Sequence, residues 1–118
     1  MKILFIGGRF RSSLEKQLKE KGYEIKIAST KNSVEKNLKE KYDLYIVDSF
    51  DPGTFEPERD GIIEAIRRIF EMERNSKVIV YADNSNLRDA VRFIEYKIPF
   101  ENKRKSIEEI IEKYSKQD

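Results

Sequence analysis

Residues 42–48 read YDLYIVD, in which the apolar run 44–47 stops at Asp48. Similar runs occur at 3–6 (ILFI) and 78–81 (VIVY), and a glycine or an alanine follows each of them. Continuous apolar runs of this length are typical of strands that are buried on both faces of a parallel sheet. Residues 24–28 (EIKIA) instead alternate charged and apolar side chains, which predicts a strand at the edge of that sheet.

Amphipathic helix patterns separate these strands. Ser12 and Glu15 have the spacing of a capping box at the start of the first helix, and Gly22 is a typical helix end. The third helix is predicted to begin at Asp60 and to carry an apolar stripe over 62–70. These patterns predict helices that pack one face on the sheet.

The second helix is predicted to open at Asn32. Its outer face carries two possible i,i+4 ion pairs, Glu35 with Lys39 and Lys36 with Glu40. These pairs indicate that the outer face of the helix is exposed to solvent.

The C-terminal third of the chain has weaker signals. A short fourth helix is predicted from Asn86, and residues 96–98 predict a weak fifth strand that stops before Pro99. The last helix is predicted to begin at Ser106, which has Glu109 three residues later.

Five strands that alternate with five helices predict one α/β domain over residues 1–118. Parallel neighbours need crossovers, which are almost always right-handed helices, so helices should cover both faces of the sheet. The strand order 2-1-3-4-5 places the alternating second strand at the edge. Ligands of such sheets bind beyond the carboxyl ends of the strands.

The composition excludes several kinds of chemistry. The chain has no cysteine and no histidine, which removes disulfides, thiolate nucleophiles and the usual zinc ligands. Its net charge of +2 and its interspersed charge signs disfavour nucleic acid and anionic membranes as partners. No apolar run approaches the length of a membrane span or a signal peptide, so the expected location is the cytoplasm. Enrichment in Lys and Glu predicts a thermophilic source.

A rim of candidate functional residues follows the carboxyl ends of the predicted strands. It comprises Gly7, Gly8, Arg9, Asp48, Asp51, Ala82, Asp83 and Lys97. The glycines could cradle a phosphate at a helix N-terminus, but their spacing matches neither common phosphate-binding motif. The acids could form a cluster, although solvated loop carboxylates are the commoner case.

In order and spacing, these segments resemble the receiver domains of two-component signalling, from residue 1 to about 114. The matching segments are MKILFIGG, GYEI, YDLYIVD, the Pro-Gly at 52–53, DGIIEAIRRI, KVIVYADNSN and IPFENKRKSIEEIIEKY. The resemblance implies a three-layer, flavodoxin-like fold. It also implies that Asp48 occupies the position of the family's phosphoacceptor.

Three other parts of a receiver's phosphorylation site do not match. Gly7 and Gly8 stand where the family carries an acidic pair that holds Mg²⁺, and Ala82 stands where it carries a hydroxyl. Ile98 replaces the lysine before the family's Pro-Phe, while Lys97 lies one residue earlier and points to the other face of a strand. The sequence therefore predicts no catalytic residue, no metal site and no cofactor.

The resulting hypothesis is a degenerate receiver that binds another protein or a second copy of itself without being phosphorylated. The resemblance assigns recognition to the fourth helix, the fifth strand and the fifth helix, and we expect Tyr96 and Phe100 on that face. One alternative is a genuine phosphoacceptor that uses Asp48 and holds Mg²⁺ with Asp51 or Glu56. Another is a small phosphate- or nucleotide-binding enzyme on the same fold.

Overall fold

Five strands form one sheet in the computed structural model, which describes residues 1–6, 12–28, 31–48, 66–81, 98–101 and 106–116. They are β1 (Lys2–Ile6), β2 (Glu24–Ala28), β3 (Leu44–Asp48), β4 (Val78–Tyr81) and β5 (Phe100–Glu101). Their spatial order is β2-β1-β3-β4-β5, and every neighbouring pair is parallel. The predicted fold class and the edge position of β2 are confirmed.

Helices cover both faces of the sheet. The described helices are α1 (Ser12–Glu20), α2 (Lys31–Asn37), α3 over 66–72, and the last helix (Ile107–Ser115). The predicted helix at Asn86 and the predicted start of the third helix at Asp60 lie outside the described residues. None of the described helices is long and apolar enough to cross a bilayer.

The pleat of the strands divides the core into two layers, because successive side chains of a strand point to opposite faces. Leu4 and Ile6 of β1 pack with residues of α2 and α3, including Val34 and Ile69. The other face has a different set of core residues, namely Ile3, Phe5, Leu18, Ile25, Leu44, Ile46, Ile79, Ile110, Ile111 and Tyr114. Strands with both faces covered need continuous apolar runs, as β1 and β3 have.

Two helix ends follow the predicted local chemistry. Gly22 has a φ of 93°, its N–H donates to the Lys19 carbonyl at 3.0 Å, and the Tyr23 N–H donates to the Leu18 carbonyl at 3.1 Å. This hydrogen-bond pattern is a Schellman motif. At the last helix, the Ser106 hydroxyl accepts from the Glu109 N–H at 3.2 Å, which caps the helix N-terminus.

The predicted position of the fifth strand is wrong. Ile98 is not in a strand, and β5 lies at Phe100–Glu101, where Phe100 pairs with Val80 of β4. Pro99 therefore precedes the strand instead of ending it. Proline is tolerated at the start of a strand, where no ladder hydrogen bond has to be donated, and the Pro99 carbonyl accepts from the Val80 N–H at 3.0 Å.

The predicted opening of α2 at Asn32 is within one residue of the observed start, but its two predicted ion pairs are wrong. The helix begins at Lys31 and ends at Asn37, so residues 39 and 40 lie beyond its end. Glu35 instead pairs with Arg68 of α3 at 2.9 Å, and Glu40 pairs with Lys2 at 2.9 Å. These pairs join elements that are distant in the chain and do not support α2 internally.

Candidate functional site

The carboxyl ends of the three central strands lie level with one another. Ile6, the last residue of β1, pairs with Val47, and the next residue of β3, Asp48, pairs with Tyr81 at the end of β4. The backbone of Asp48 therefore lies at the carboxyl edge of the sheet. In this fold that edge is the usual place for a ligand.

Most of the predicted rim lies outside the described residues. This applies to the side chain of Asp48 and to Gly7, Gly8, Arg9, Asp51, Ala82, Asp83 and Lys97, and Tyr96 of the predicted interaction face also lies outside them. Phe100 is placed by its backbone in β5, and its side chain is not described. The roles assigned to these residues remain predictions. Within the described ranges, no group of three acidic side chains is arranged to hold a metal ion.

The structure describes the side chain of Ile98, one of the positions compared with the receiver site. It is partly buried and packs against the core layer that contains Val80. By the resemblance, a receiver has a lysine at this position. Here the position contributes apolar packing, and no ammonium group is available from it.

Glu101 is the buried charged residue of the described structure, with 4% of its surface exposed. One carboxylate oxygen, Oε1, accepts from the Lys113 ammonium at 2.7 Å and from the Tyr114 hydroxyl at 2.8 Å. Burial raises the pKa of Tyr114, and the hydrogen bond to Glu101 raises it further. The same carboxylate raises the pKa of Lys113. Both donors therefore keep their protons at neutral pH.

Sequence reasoning did not find this cluster. A signal was present, because Tyr114 lies on the buried stripe of the last helix and a buried tyrosine hydroxyl usually needs a partner. The partner could not be named, since Glu101 was not assigned to a strand.

A second polar region lies at the amino edge of the sheet, opposite the predicted rim. A cavity of about 700 Å³ is lined there by residues that precede β1, β3 and β4, among them Met1, Asp43 and Lys77. Lys41 and Glu73 border it and pair at 3.6 Å. Because charges of both signs line this cavity, it has no strong preference for an ion of one sign.

No protein-family model and no curated protein sequence match this chain. Solved structures do match. The response regulator TrrA from Thermotoga maritima, in complex with magnesium and BeF, is 25% identical with a TM-score of 0.65, covering 98% of this chain and 96% of that one. The receiver domain of NtrC4 from Aquifex aeolicus is also 25% identical, with a TM-score of 0.64 over 97% and 93% of the two chains.

A third similar structure is named as an enzyme and not as a response regulator. The adenylate cyclase from Rhodopirellula baltica is 20% identical with a TM-score of 0.67, covering 97% of this chain and 84% of that one. At this identity the likeness shows the fold alone.

These neighbours define the class of fold: a parallel α/β sheet of flavodoxin-like type with helices on both faces. More specifically, the structural neighbours include response-regulator receiver domains that match nearly the whole chain. The resemblance stated from the sequence is confirmed at this level.

Proposed function

We propose that this chain is a degenerate receiver that acts as a protein-binding module and does not depend on phosphorylation. The observation that carries the proposal is the end of β1. The strand ends at Ile6, and the next two residues are Gly7 and Gly8. Where receivers supply an acidic pair, this chain offers no side-chain oxygen.

The missing oxygens matter because of the chemistry of phosphoryl transfer. A carboxylate attacks a phosphoryl group only if the negative charge on both is neutralised, and Mg²⁺ does this when oxygen ligands hold it. Asp48 alone is a weak site for a hard divalent ion. The chain therefore keeps an aspartate at the acceptor position but lacks the metal ligands that its phosphorylation needs.

Two further positions support the same conclusion. Ala82, which follows β4 directly, has no hydroxyl to bond an incoming phosphoryl group. Ile98 supplies apolar packing where receivers have a lysine. Together with the missing acidic pair, these substitutions leave Asp48 as the remaining part of the site.

The binding surface that we propose includes β5 and the last helix, with Tyr96 and Phe100 as its apolar contacts. The partner is another protein or a second copy of this chain. No cofactor is required, and the proposed location is the cytoplasm.

Sedimentation velocity on four proteins tests this assignment: the wild type, Asp48→Asn, Tyr96→Ala and Phe100→Ala. We expect the two aromatic variants to lose self-association, or capture of a purified partner, because each removes contact area worth about 1 to 3 kcal/mol. Asp48→Asn should behave as the wild type does and change the free energy of unfolding by only about 1 kcal/mol. Loss of binding in the Asp48 variant alone would make the acidic rim the working site.

The second candidate is a genuine phosphoacceptor that holds Mg²⁺ with Asp51 or Glu56. It is favoured by the retention of Asp48 at the carboxyl end of β3 and by the likeness to TrrA, which was solved with magnesium and BeF. The enzyme alternative has less support, since the likeness to the adenylate cyclase extends to the fold only.

A further inference from the structure

Glu101 joins the last strand of the sheet to the last helix. It is the second residue of β5 and pairs in register with Tyr81 of β4. Its side chain is 5% exposed and accepts from Lys113 at 2.7 Å and Tyr114 at 2.8 Å. A buried carboxylate is stable only when charge-assisted hydrogen bonds replace its lost water. Both of these donors come from the last helix.

The two donors restrict the position of that helix. Lys113 and Tyr114 are consecutive, so their side chains leave the helix about 100° apart. Tyr114 lies in the core layer with Ile110 and Ile111, while the half-exposed Lys113 reaches the same carboxylate oxygen from the surface. The Lys113 ammonium also lies 5.2 Å from the centre of the Tyr114 ring. A rotation or a slide of the helix would break at least one of these two contacts, and losing a hydrogen bond to a buried charge is costly.

A second ion pair on the same helix provides a comparison. Lys21, just beyond α1, pairs with Glu108 at 2.9 Å, and the two side chains are 51% and 34% exposed. Water solvates both charges when this pair opens, so it restrains the helix very little. Burial therefore distinguishes the Glu101 cluster from the Lys21 pair, although the distances are similar.

We propose that the Glu101–Lys113–Tyr114 cluster locks the last helix onto β5, so that the surface made by these two elements has one permanent conformation. This inference rests on the proposed function, because it explains how a binding surface on β5 and the last helix works without a phosphorylation switch. The surface then keeps its binding conformation without a phosphoryl group.

Amide hydrogen exchange on the full chain tests the lock. The variants are Lys113→Met, which removes the ammonium and keeps the stem, and Tyr114→Phe, which removes only the hydroxyl. Lys21→Met is the matched control, since it breaks the exposed pair on the same helix. In both cluster variants we expect amides 110–114 to exchange at least about tenfold faster while β1 amides keep their rates, as in local opening. In the control, the change should stay within about threefold.

Two results would overturn the lock. One is unchanged exchange at 110–114 in both cluster variants. The other is an equal acceleration in β1 and in the last helix, since the cluster would then contribute only to global stability. If Lys113→Met does not fold, the exchange rates of Tyr114→Phe alone decide the test.

A parallel measurement separates the lock from the proposed function. The wild type is treated with acetyl phosphate and Mg²⁺, and its intact mass and its exchange at 110–114 are recorded. A gain of one phosphoryl group with unchanged exchange would refute the degenerate acceptor site of the proposed function and leave the lock standing. A gain accompanied by faster exchange at 110–114 would refute both. An unchanged mass together with unaffected cluster variants would refute the lock alone.

Discussion

Tyr42 is enclosed at the amino edge of the sheet, with 7% of its surface exposed. Its one hydroxyl proton is shared between two acceptors, Asn37 Oδ1 at 3.3 Å and Glu40 Oε2 at 3.4 Å, and the Lys2 ammonium lies 4.9 Å from its ring centre. Burial, together with the Glu40 carboxylate, raises the pKa of Tyr42 from 10.0 to about 12. Ionisation at this residue is therefore coupled to folding.

The sign of that coupling gives a prediction at alkaline pH. Between pH 10.0 and about 12, the unfolded chain has lost the Tyr42 proton and the folded chain has kept it. The stabilisation from Tyr42 is fully present below pH 10.0 and is lost as the pH rises through about 12. Urea unfolding at a series of pH values should show this decline.

Tyr42→Phe is the control for this prediction, because it removes the ionisable hydroxyl and keeps the ring. The decline should become shallower in this variant, although some should remain because burial also raises the pKa values of Tyr45 and Tyr114. An equally steep decline in Tyr42→Phe would show that Tyr42 is not the coupled group.

At the scale of single elements, the end of α1 depends on the backbone of Gly22. Its φ of 93° lies in the left-handed region, and a Cβ built at this position would meet no atom within 4 Å. Gly22→Ala should therefore lower the free energy of unfolding through backbone strain alone, by about 1 to 2 kcal/mol. Chemical denaturation measures this difference.

Glu20→Ala is a suitable control, since Glu20 is an exposed residue of the same helix end. It should change the free energy of unfolding by less than about 0.5 kcal/mol. Equal effects of the two substitutions would contradict the role given to the glycine conformation.

The elements that the sequence predicted well are those with strong local signals. The apolar runs located β1, β3 and β4, and the Ser106 cap could be located because the hydroxyl and the N–H that it accepts from are three residues apart. The position of β5 was missed because Pro99 is also a typical strand end. A strand of two residues has no periodicity to outweigh that signal.

Tertiary contacts were the other source of error. Glu35 was assigned to a lysine four residues away, but its partner Arg68 is thirty-three residues distant in the chain. The Glu101 cluster was missed for the same reason. A single sequence gives spacing along the chain, and these pairs depend on how helices dock on the sheet.

For the whole molecule, the order of the elements was sufficient to predict the topology, because parallel strands joined by right-handed crossovers allow few arrangements. The candidate site is harder to predict, since its chemistry depends on which side chains follow the strand ends. Asp48 is placed at the end of β3 by its pairing with Tyr81. The remaining rim residues were assigned from the sequence and the family resemblance.

Weak magnesium binding is expected of the whole domain. With Gly7 and Gly8 after β1, the dissociation constant for Mg²⁺ should be on the order of millimolar or weaker. Isothermal titration of the wild type and of Asp48→Ala measures it. Micromolar affinity that disappears in the variant would show that Asp51, Glu56 or another residue completes a metal site.

The central claim is that the domain works without accepting a phosphoryl group, and intact-mass spectrometry after treatment with acetyl phosphate and Mg²⁺ tests it most directly. Because Gly7, Gly8 and Ala82 have no side-chain oxygen, we predict that the mass of the wild type stays unchanged, as in Asp48→Asn. Addition of one phosphoryl group to the wild type, mapped to Asp48 and absent from the variant, would contradict the claim.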